Sequence, residues 1–330
     1  MSQLVSAGGV VPFQPWPHRL VRGAWRTCLE DLIAKRPYVV VAERRFADQV
    51  GQRNVLVDGG ESGKTLNHAE DVVVALIQAG LTRSHVVVAL GGGATTDLVG
   101  FAAATALRGV DWVGVPTTVL GAVDASIGGK TGVNLALGKN LIGAFHQPLG
   151  VVVDSDFWLT LPEVEWRSAA AEIFKAGLLR PELMERLESC STAREAANYA
   201  VDAAELKLDV VAADPDEHNL RLALNLGHTL AHAIETQGKG RVHHGEAVAI
   251  GLAAVLRFNH PQAAHHISLL DAWGLPTVLP AWADTAGLVD LMRRDKKSNT
   301  DGLRVVLPGA DGSCHLVERF DPKRLIEFAV

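Results

Sequence analysis

Two histidines four residues apart, His228 and His232, lie in the apolar segment RLALNLGHTLAHAIE, residues 221–235. If this segment is one helix, Arg221 and Asn225 share a face with both histidines, within about 60° of arc at roughly 100° per residue. Histidines at positions i and i+4 of a helix are typical of zinc sites, and arginine and asparagine suit an oxyanion. Spacing alone therefore makes His228 and His232 the candidate metal pair, although a lone histidine on an apolar face is more often a core residue.

A second polar pair lies in another apolar segment, AAAEIFKAG, where Glu172 and Lys175 are three residues apart. On a surface helix such an ion pair would contribute only about 0.2–0.5 kcal/mol. A buried glutamate is instead expected to be paired or bound to a metal. Asp124, the one carboxylate in the apolar run VLGAVDASIGG, should have a partner for the same reason.

Two glycine-rich segments could bind anions. In VVVALGGGATTDLVGF a strand pattern ends in Gly91–Gly93 and a helix pattern follows, so free backbone N–H groups could bind a pyrophosphate. The segment lacks the G-x-G-x-x-G fingerprint, and a plain tight turn is an equal alternative. In SIGGKTGVNLALGKNLIGAFHQP the glycines suggest loops that bring Lys130, Lys139 and Asn140 close to an anion, against the alternative of solvated surface lysines.

Alternating strand and helix patterns must position these residues. Short β-branched runs predict strands at YVVVA (38–42), NVLVD (54–58), HVVVAL (85–90), DWVGVPTTV (111–119) and GVVVD (150–154). Helix patterns at TLNHAEDVVVALIQAG and TTDLVGFAAATAL separate some of them, which indicates a parallel sheet covered on both faces. We therefore expect an α/β, Rossmann-like nucleotide-binding domain over residues 1–163.

From residue 164 to 330 almost all patterns are helical. They include SAAAEIFKAGLL, AREAANYAVDAAELKLDVVAA and GEAVAIGLAAVLRF, with one extended run, LRVVLP. We expect this second, mostly helical domain to carry the metal and substrate residues, with the active site in the cleft between the two domains.

The composition narrows the classes of partner. The chain has 330 residues, a net charge of −6 and 48% hydrophobic residues, which argues against a nucleic acid or a membrane as the main partner. Its three cysteines are far apart and form no metal or disulfide pattern, as in a reducing compartment. With neither a signal-peptide pattern nor a membrane-length apolar run, we expect a cytoplasmic protein.

Eight blocks together carry a specific resemblance. They are GGGATTDLVGFAAA, RGVDWVGVPTTVLGAVDASIGGKTGVN, LGKNLIGAFHQP, TLP, AEIFKAG, LNLGHTLAHAIE, HGEAVAIGL and DKK. In order and approximate spacing, from residue 61 to 297, they resemble the 3-dehydroquinate synthase family. The resemblance implies a lyase that converts 3-deoxy-D-arabino-heptulosonate 7-phosphate, a sugar phosphate acid, into 3-dehydroquinate and phosphate. It also implies a zinc ion, with cobalt as a substitute, and NAD that is used catalytically and not consumed.

The resemblance assigns a metal set different from the pair that spacing suggests. The ligands it implies are Glu172, His228 and His244, whereas His232 faces the substrate phosphate. A metal held this way would polarise the alcohol being oxidised.

The resemblance also implies roles for other residues. Lys207 and Arg221 match a pair that binds the substrate carboxylate. Asp124 and Lys175 match positions that hold substrate hydroxyls. The positions for the phosphate and the reacting centre are Asn225, Asn140, Lys130, His232 and a lysine of DKK, Lys296 or Lys297. Arg108 matches an arginine that reaches a neighbouring subunit's site, so a homodimer is implied. The NAD positions are Glu43, Glu61, Lys64, Gly91, Gly92, Gly93, Asp97, Thr117, Thr118, Asp124, Lys130, Lys139, Asn140 and Thr160.

Three features depart from the family pattern. Glu43 stands where an aspartate usually approaches the adenosine ribose, and its carboxylate should still favour NAD over NADP. Thr96 replaces a common glycine of the nucleotide loop. Residues 257–273 form a segment several residues shorter than its equivalent, which affects peripheral helices and the dimer surface more than the chemistry.

Other functions remain open at the level of sequence. An amino-dehydroquinate synthase would keep the carboxylate clamp, whereas cyclases of neutral sugar phosphates would not need it. A metal-dependent polyol dehydrogenase shares the domain pairing but has no use for Lys130, Lys175, Lys207 and Arg221 together. A nucleotide-binding protein without activity is disfavoured because each matched catalytic position is filled.

Overall fold

The structure is a computed structural model that describes residues 3–5, 19–51, 54–215, 220–294 and 303–330. The chain divides into two compact units, Pro15–Leu161 and Pro162–Val330, the second together with Met1–Gln14. In the described ranges, no helix combines the length and the apolar character needed to cross a bilayer.

The first unit is built on a six-stranded parallel sheet, as the alternating pattern predicts. Its strands lie in the order β2-β9-β6-β5-β3-β4. They are β2 (Arg19–Arg22), β3 (Tyr38–Glu43), β4 (Asn54–Val57), β5 (Val86–Gly91), β6 (Trp112–Pro116) and β9 (Gly150–Val153). The helices of this unit are α1 (Trp25–Leu32), α2 (Leu66–Gln78) and α3 (Gly93–Thr105). The central strands β5 and β6 are buried along their whole length, which explains their continuous apolar runs.

A β-hairpin replaces the loops predicted around the two lysines. β7 (Lys130–Leu135) pairs antiparallel with β8 (Gly138–Phe145), so Lys130, Lys139 and Asn140 lie in strands. The glycines here allow strand backbones to approach closely. A Cβ on Gly143 would lie 2.4 Å from the carbonyl oxygen of Thr131. The prediction of glycine loops is therefore right for Gly128 and Gly129, which have φ of 97° and 64° in the turn before β7. It is wrong for the hairpin itself, where glycine allows the two strands to pack closely.

The second unit is mostly helical, as predicted. Its helices are α4 (Glu163–Leu179), α5 (Pro181–Leu187), α6 (Ala193–Ala196), α7 (Ala200–Ala213), α8 (His228–Gly238), α9 (His244–Asn259), α10 (Ala263–Ala272), α11 (Thr285–Arg294) and α12 (Pro322–Glu327). A small antiparallel sheet in the order β1-β11-β10 joins β1 (Gln3–Val5), β10 (Val305–Pro308) and β11 (Cys314–Val317). Helices α4 and α9 are buried over most of their length, which explains why their sequences lack a polar face.

Residues 221–235 do not form the single helix that their pattern suggests. A 3₁₀ turn spans Leu220–Asn225, and α8 begins only at His228. Between them Gly227 has a φ of 75°, and a Cβ there would lie 2.8 Å from the backbone nitrogen of Leu252 in α9. Close contact with α9 thus requires glycine at the break. The predicted stripe of four polar residues on one helix is wrong, and only the two histidines share α8.

Candidate metal centre and nucleotide site

Glu172, His228 and His244 meet in the helical unit. One ligand atom from each lies within 4.8 Å of the others. Glu172 comes from the middle of α4, whereas the histidines are the first residues of α8 and α9. The Nε2 atoms of His228 and His244 lie 3.3 and 3.2 Å from Oε1 of Glu172. Two imidazoles and a carboxylate are a common protein ligand set for catalytic zinc.

Charged neighbours control the ionisation of this group. Burial raises the pKa of Glu172, but the ion pair with Lys175 and the contact with His228 outweigh it, so the net pKa lies well below its ordinary value. Burial lowers the pKa of His228 to about 4, helped by Lys175. Burial also disfavours a charge on His244, yet hydrogen bonds to Glu172 and Glu235 raise its pKa to about 10. The ionisation of each of the three side chains is therefore linked to Lys175 or to Glu235.

The other ring nitrogen of each histidine is also engaged. Nδ1 of His228 lies 3.0 Å from the carbonyl oxygen of Leu226, and Nδ1 of His244 lies 3.2 Å from Oε2 of Glu235. Such contacts fix the tautomer and leave Nε2 available as a metal ligand. Glu235 was not predicted from the sequence. A signal was present, because Glu235 follows His228 by seven residues, two turns along the same helix face.

His232 does not belong to the group of three. Its ring packs edge-on against His228, with centroids 5.5 Å apart and planes at 87°. The pair suggested by spacing is thus not the set that the structure brings together. His244, which lies sixteen residues after His228 and on another helix, takes that place.

The predicted carboxylate clamp lies in the same unit. Arg221 is buried, its Nη1 donates to the carbonyl oxygen of Pro215 at 3.0 Å, and its backbone N–H donates to Asp214 at 3.0 Å. Lys207 is half-buried on α7, and Asn225 is half-buried at the end of the 3₁₀ turn. Lys175, beside the metal ligands, also donates to the carbonyl oxygen of Leu224 at 2.9 Å. Lys296 and Lys297 lie outside the described residues.

In the sheet unit, β5 ends at Gly91 and α3 begins at Gly93, so the predicted strand–glycine–helix arrangement is present. The carboxylate of Glu43 lies at the start of this helix. It accepts hydrogen bonds from the Gly92 N–H at 2.7 Å and the Thr95 hydroxyl at 2.9 Å. A Cβ on Gly91 would lie 2.7 Å from Oε1 of Glu43, so glycine is needed for this approach. The Gly92 N–H and the Thr95 hydroxyl, which donate to Glu43 here, are donors of the kind that bind phosphate oxygens at the start of a helix.

A second network joins four predicted NAD positions. The buried Lys64 forms an ion pair with Asp97 of α3 and donates to Oδ1 of Asn140 at 2.6 Å. The side chain of Asn134 links Asn140 to Glu61. Its Oδ1 accepts a hydrogen bond from the Asn140 backbone N–H at 2.9 Å, and its Nδ2 donates to the Glu61 carboxylate at 2.7 Å. Burial raises the pKa of Asp97 to about 6, against the opposing effect of Lys64. Helix α3 and the β7–β8 hairpin are therefore joined by one polar chain.

The remaining predicted residues of this unit range from buried to exposed. Asp124 is half-buried in a π-helical turn, Gly121–Ala125, whose Gly121 N–H donates to the hydroxyl of Thr118 at 3.0 Å. Thr117 is buried, and its N–H donates to the carbonyl oxygen of Gly91 at 2.9 Å. The exposed ones are Lys130, Lys139, Thr160 and Arg108.

The first unit has a parallel sheet with a glycine turn before a helix, and the helical unit has two imidazoles beside a carboxylate. Together these features define a class of nucleotide- and metal-dependent enzymes. The family model described as 3-dehydroquinate synthase N-terminal matches residues 54–168, and the 3-dehydroquinate synthase C-terminal model matches residues 169–298. The chain belongs to the 3-dehydroquinate synthase family.

Individual relatives agree with this assignment. The 3-dehydroquinate synthase of Halorhodospira halophila is 42% identical over 324 residues, which cover 91% of this chain and 91% of that protein. Among solved structures, 2-deoxy-scyllo-inosose synthase with carbaglucose-6-phosphate, NAD⁺ and Co²⁺ has a TM-score of 0.79 at 23% identity, covering 100% and 99% of the two chains. The 2-epi-5-epi-valiolone synthase from Streptomyces hygroscopicus subsp. jinggangensis 5008, with NAD⁺ and Zn²⁺, has a TM-score of 0.80 at 24% identity, covering 97% and 98%. These two structures establish the likeness of fold.

Proposed function

We propose that the chain converts 3-deoxy-D-arabino-heptulosonate 7-phosphate into 3-dehydroquinate and phosphate, with zinc and catalytic NAD. The observation that carries this proposal is the buried group of Glu172, His228 and His244 beside Lys175, in a chain of the 3-dehydroquinate synthase family. The 42% identity to a 3-dehydroquinate synthase along 91% of both chains supports the same substrate.

The donor set fits a zinc ion. Three protein ligands leave a coordination position for a substrate oxygen. When bound, the metal would act as a Lewis acid that makes a substrate alcohol easier to oxidise. Glu235 and the Leu226 carbonyl hold the two imidazoles by their Nδ1 atoms. Lys175 keeps Glu172 ionised, and we assign it a second role in holding a substrate hydroxyl.

The sheet unit would hold the NAD. NAD, when bound, would accept a hydride from the substrate and return it later, so that no net NADH is formed. We assign its pyrophosphate to the N–H groups at the start of α3, and its ribose to Glu43, which lies beside them. The other assigned contacts are Glu61, Lys64, Asp97, Thr117, Thr118, Asp124, Lys130, Lys139, Asn140 and Thr160.

Charge recognition would select the acid substrate. Arg221 presents a planar guanidinium suited to paired hydrogen bonds with a carboxylate, and Lys207 adds a second positive charge. We assign the phosphate and the reacting centre to Asn140, Asn225, His232 and Lys130, with Lys296 or Lys297. Asp124 would hold a further hydroxyl.

We further propose a homodimer in the cytoplasm. Arg108 is exposed and has a φ of 65°, at the turn that follows α3. The exposure of this side chain supports the role that the family resemblance implies, a contact with a neighbouring subunit's phosphate site. Three free cysteines are consistent with a reducing compartment.

A substrate comparison tests the proposal. The metal-loaded protein with NAD should release phosphate from the heptulosonate phosphate much faster than from sedoheptulose 7-phosphate, which has no carboxylate. A preference for the sedoheptulose substrate would overturn the acid assignment. A preference for an amino analogue of the heptulosonate would establish the amino-dehydroquinate alternative, which keeps the same clamp.

A further inference from the structure

A second group of metal-type ligands lies in the helical unit, apart from the centre described above. One ligand atom each of Glu188, His265 and His266 lies within 4.8 Å of the others. We propose that these three residues form a second binding site for a divalent transition metal, zinc in the first place. The proposal does not depend on the reaction assigned to the protein.

Two helices hold the three side chains in place. Glu188 directly follows α5, and His265 and His266 lie in the first turn of α10. Nε2 of His265 lies 2.9 Å from Oε1 of Glu188. The end of α10 is joined to the same loop, because the Trp273 indole donates to the carbonyl oxygen of Cys190 at 3.0 Å. The two elements that carry the ligands are therefore joined before a metal binds, which lowers the entropic cost of binding.

His266 provides an independent sign of a ligand. It is only 4% exposed, and no residue in the described ranges gives its buried Nδ1 a hydrogen-bond partner. An unsatisfied buried polar atom is unfavourable, and such atoms are rare in native proteins. The ring is packed edge-on against Phe174, with centroids 6.1 Å apart, so it is held in position. His266 offers a ring nitrogen to the group, and a metal bonded through Nδ1 would supply the partner that this atom lacks.

The neighbouring His260 is not one of the three grouped residues. Its Nδ1 accepts a hydrogen bond from the Gln262 N–H at 3.2 Å. The His260 ring packs against the ring of His266, with centroids 4.9 Å apart, and so lines the proposed metal site. The site therefore offers three protein ligands and leaves the fourth position to water or an external ligand.

The charge and exposure of the group suit a cation. Glu188 places a negative charge at the C-terminal end of α5, where the helix dipole disfavours it, and a bound cation would offset this. The side chains of His265 and Glu188 are 54% and 38% exposed, which gives a metal a path of entry from solvent. Two imidazoles and one carboxylate favour zinc and similar ions over calcium or magnesium.

Metal stoichiometry after equilibrium dialysis against excess zinc tests the proposal. The wild type should bind two zinc ions per chain, and His265→Ala and Glu188→Gln should each bind one. Both variants change exposed side chains, so folding should be retained, as a thermal unfolding curve will verify. His244→Ala should also bind one zinc ion, because it affects the other centre. His68→Ala, which removes an exposed histidine of α2, should still bind two.

Crystals soaked with zinc provide the second readout. An anomalous peak between Glu188, His265 and His266 should appear in the wild type and be absent from His265→Ala. A single zinc ion per wild-type chain that His265→Ala and Glu188→Gln both retain would overturn the proposal. An unchanged count of two in both His265→Ala and Glu188→Gln would overturn it as well, because the second ion would then lie elsewhere.

Discussion

The contact between Glu235 and His244 makes a quantitative prediction about metal affinity. Glu235 is 14% exposed, and its Oε2 lies 3.2 Å from Nδ1 of His244. In that position it accepts the Nδ1 proton, which leaves Nε2 of His244 as the metal ligand and increases its basicity. Loss of such a partner typically lowers metal affinity by about 10–100-fold, or about 1.4–2.7 kcal/mol.

Two substitutions at this position separate charge from hydrogen bonding. Glu235→Gln keeps an acceptor oxygen and loses the charge, so we expect zinc affinity to fall by about tenfold. Glu235→Ala loses both, and we expect a fall of about a hundredfold. Turnover at saturating zinc should stay close to that of the wild type, because the three metal ligands remain.

Competition with a chromophoric zinc chelator measures these affinities, and activity titrated against free zinc provides a second measure. Glu185→Gln is a matched control, because Glu185 is exposed on α5 and should leave the affinity unchanged. If zinc affinity in Glu235→Ala equalled that of the wild type, Glu235 would have no part in holding His244.

Three further predictions concern the metal centre, the carboxylate contact of Arg221 and the ion pair of Lys64. His244→Ala should lose its bound active-site metal, whereas His232→Ala should keep it and turn over more slowly; metal analysis showing the reverse would restore the pair inferred from spacing. Arg221→Ala should reduce activity on the acid substrate about a hundredfold or more, since a buried charge contact contributes about 2–5 kcal/mol, while zinc and NAD binding persist. Near-normal kcat/KM would refute that carboxylate contact. Lys64→Ala leaves the half-buried carboxylate of Asp97 without its ion pair, so urea unfolding should show a loss of up to about 3 kcal/mol, whereas the exposed Lys139→Ala should show little change.

Much of the sheet unit could be predicted from sequence because its signals are local. Each buried strand is a short β-branched run, and the glycine turn joins a strand to a helix within a few residues. The hairpin of β7 and β8 was missed because its glycines resemble those of loops. Gly132 and Gly143 allow close contact with a facing strand, and a facing strand is not visible in a local sequence pattern.

The metal centre shows where spacing stops being informative. His228 and His232 have the i, i+4 spacing of a metal pair, but the break at Gly227 and the packing of α8 on α9 bring His244 to Glu172 instead. Which histidine joins His228 and Glu172 depends on contacts between three helices that are distant in sequence. Only the resemblance to a family suggested His244, and Glu235 was missed although it follows the same helix face.

The most direct test of the proposed activity is steady-state release of phosphate from 3-deoxy-D-arabino-heptulosonate 7-phosphate with NAD present at less than one equivalent of substrate. We expect the zinc-loaded protein to convert all of the substrate to 3-dehydroquinate, with no accumulation of NADH at 340 nm. Chelation should abolish the reaction, and zinc or cobalt should restore it. Stoichiometric NADH formation without phosphate release would contradict the proposal and indicate a dehydrogenase.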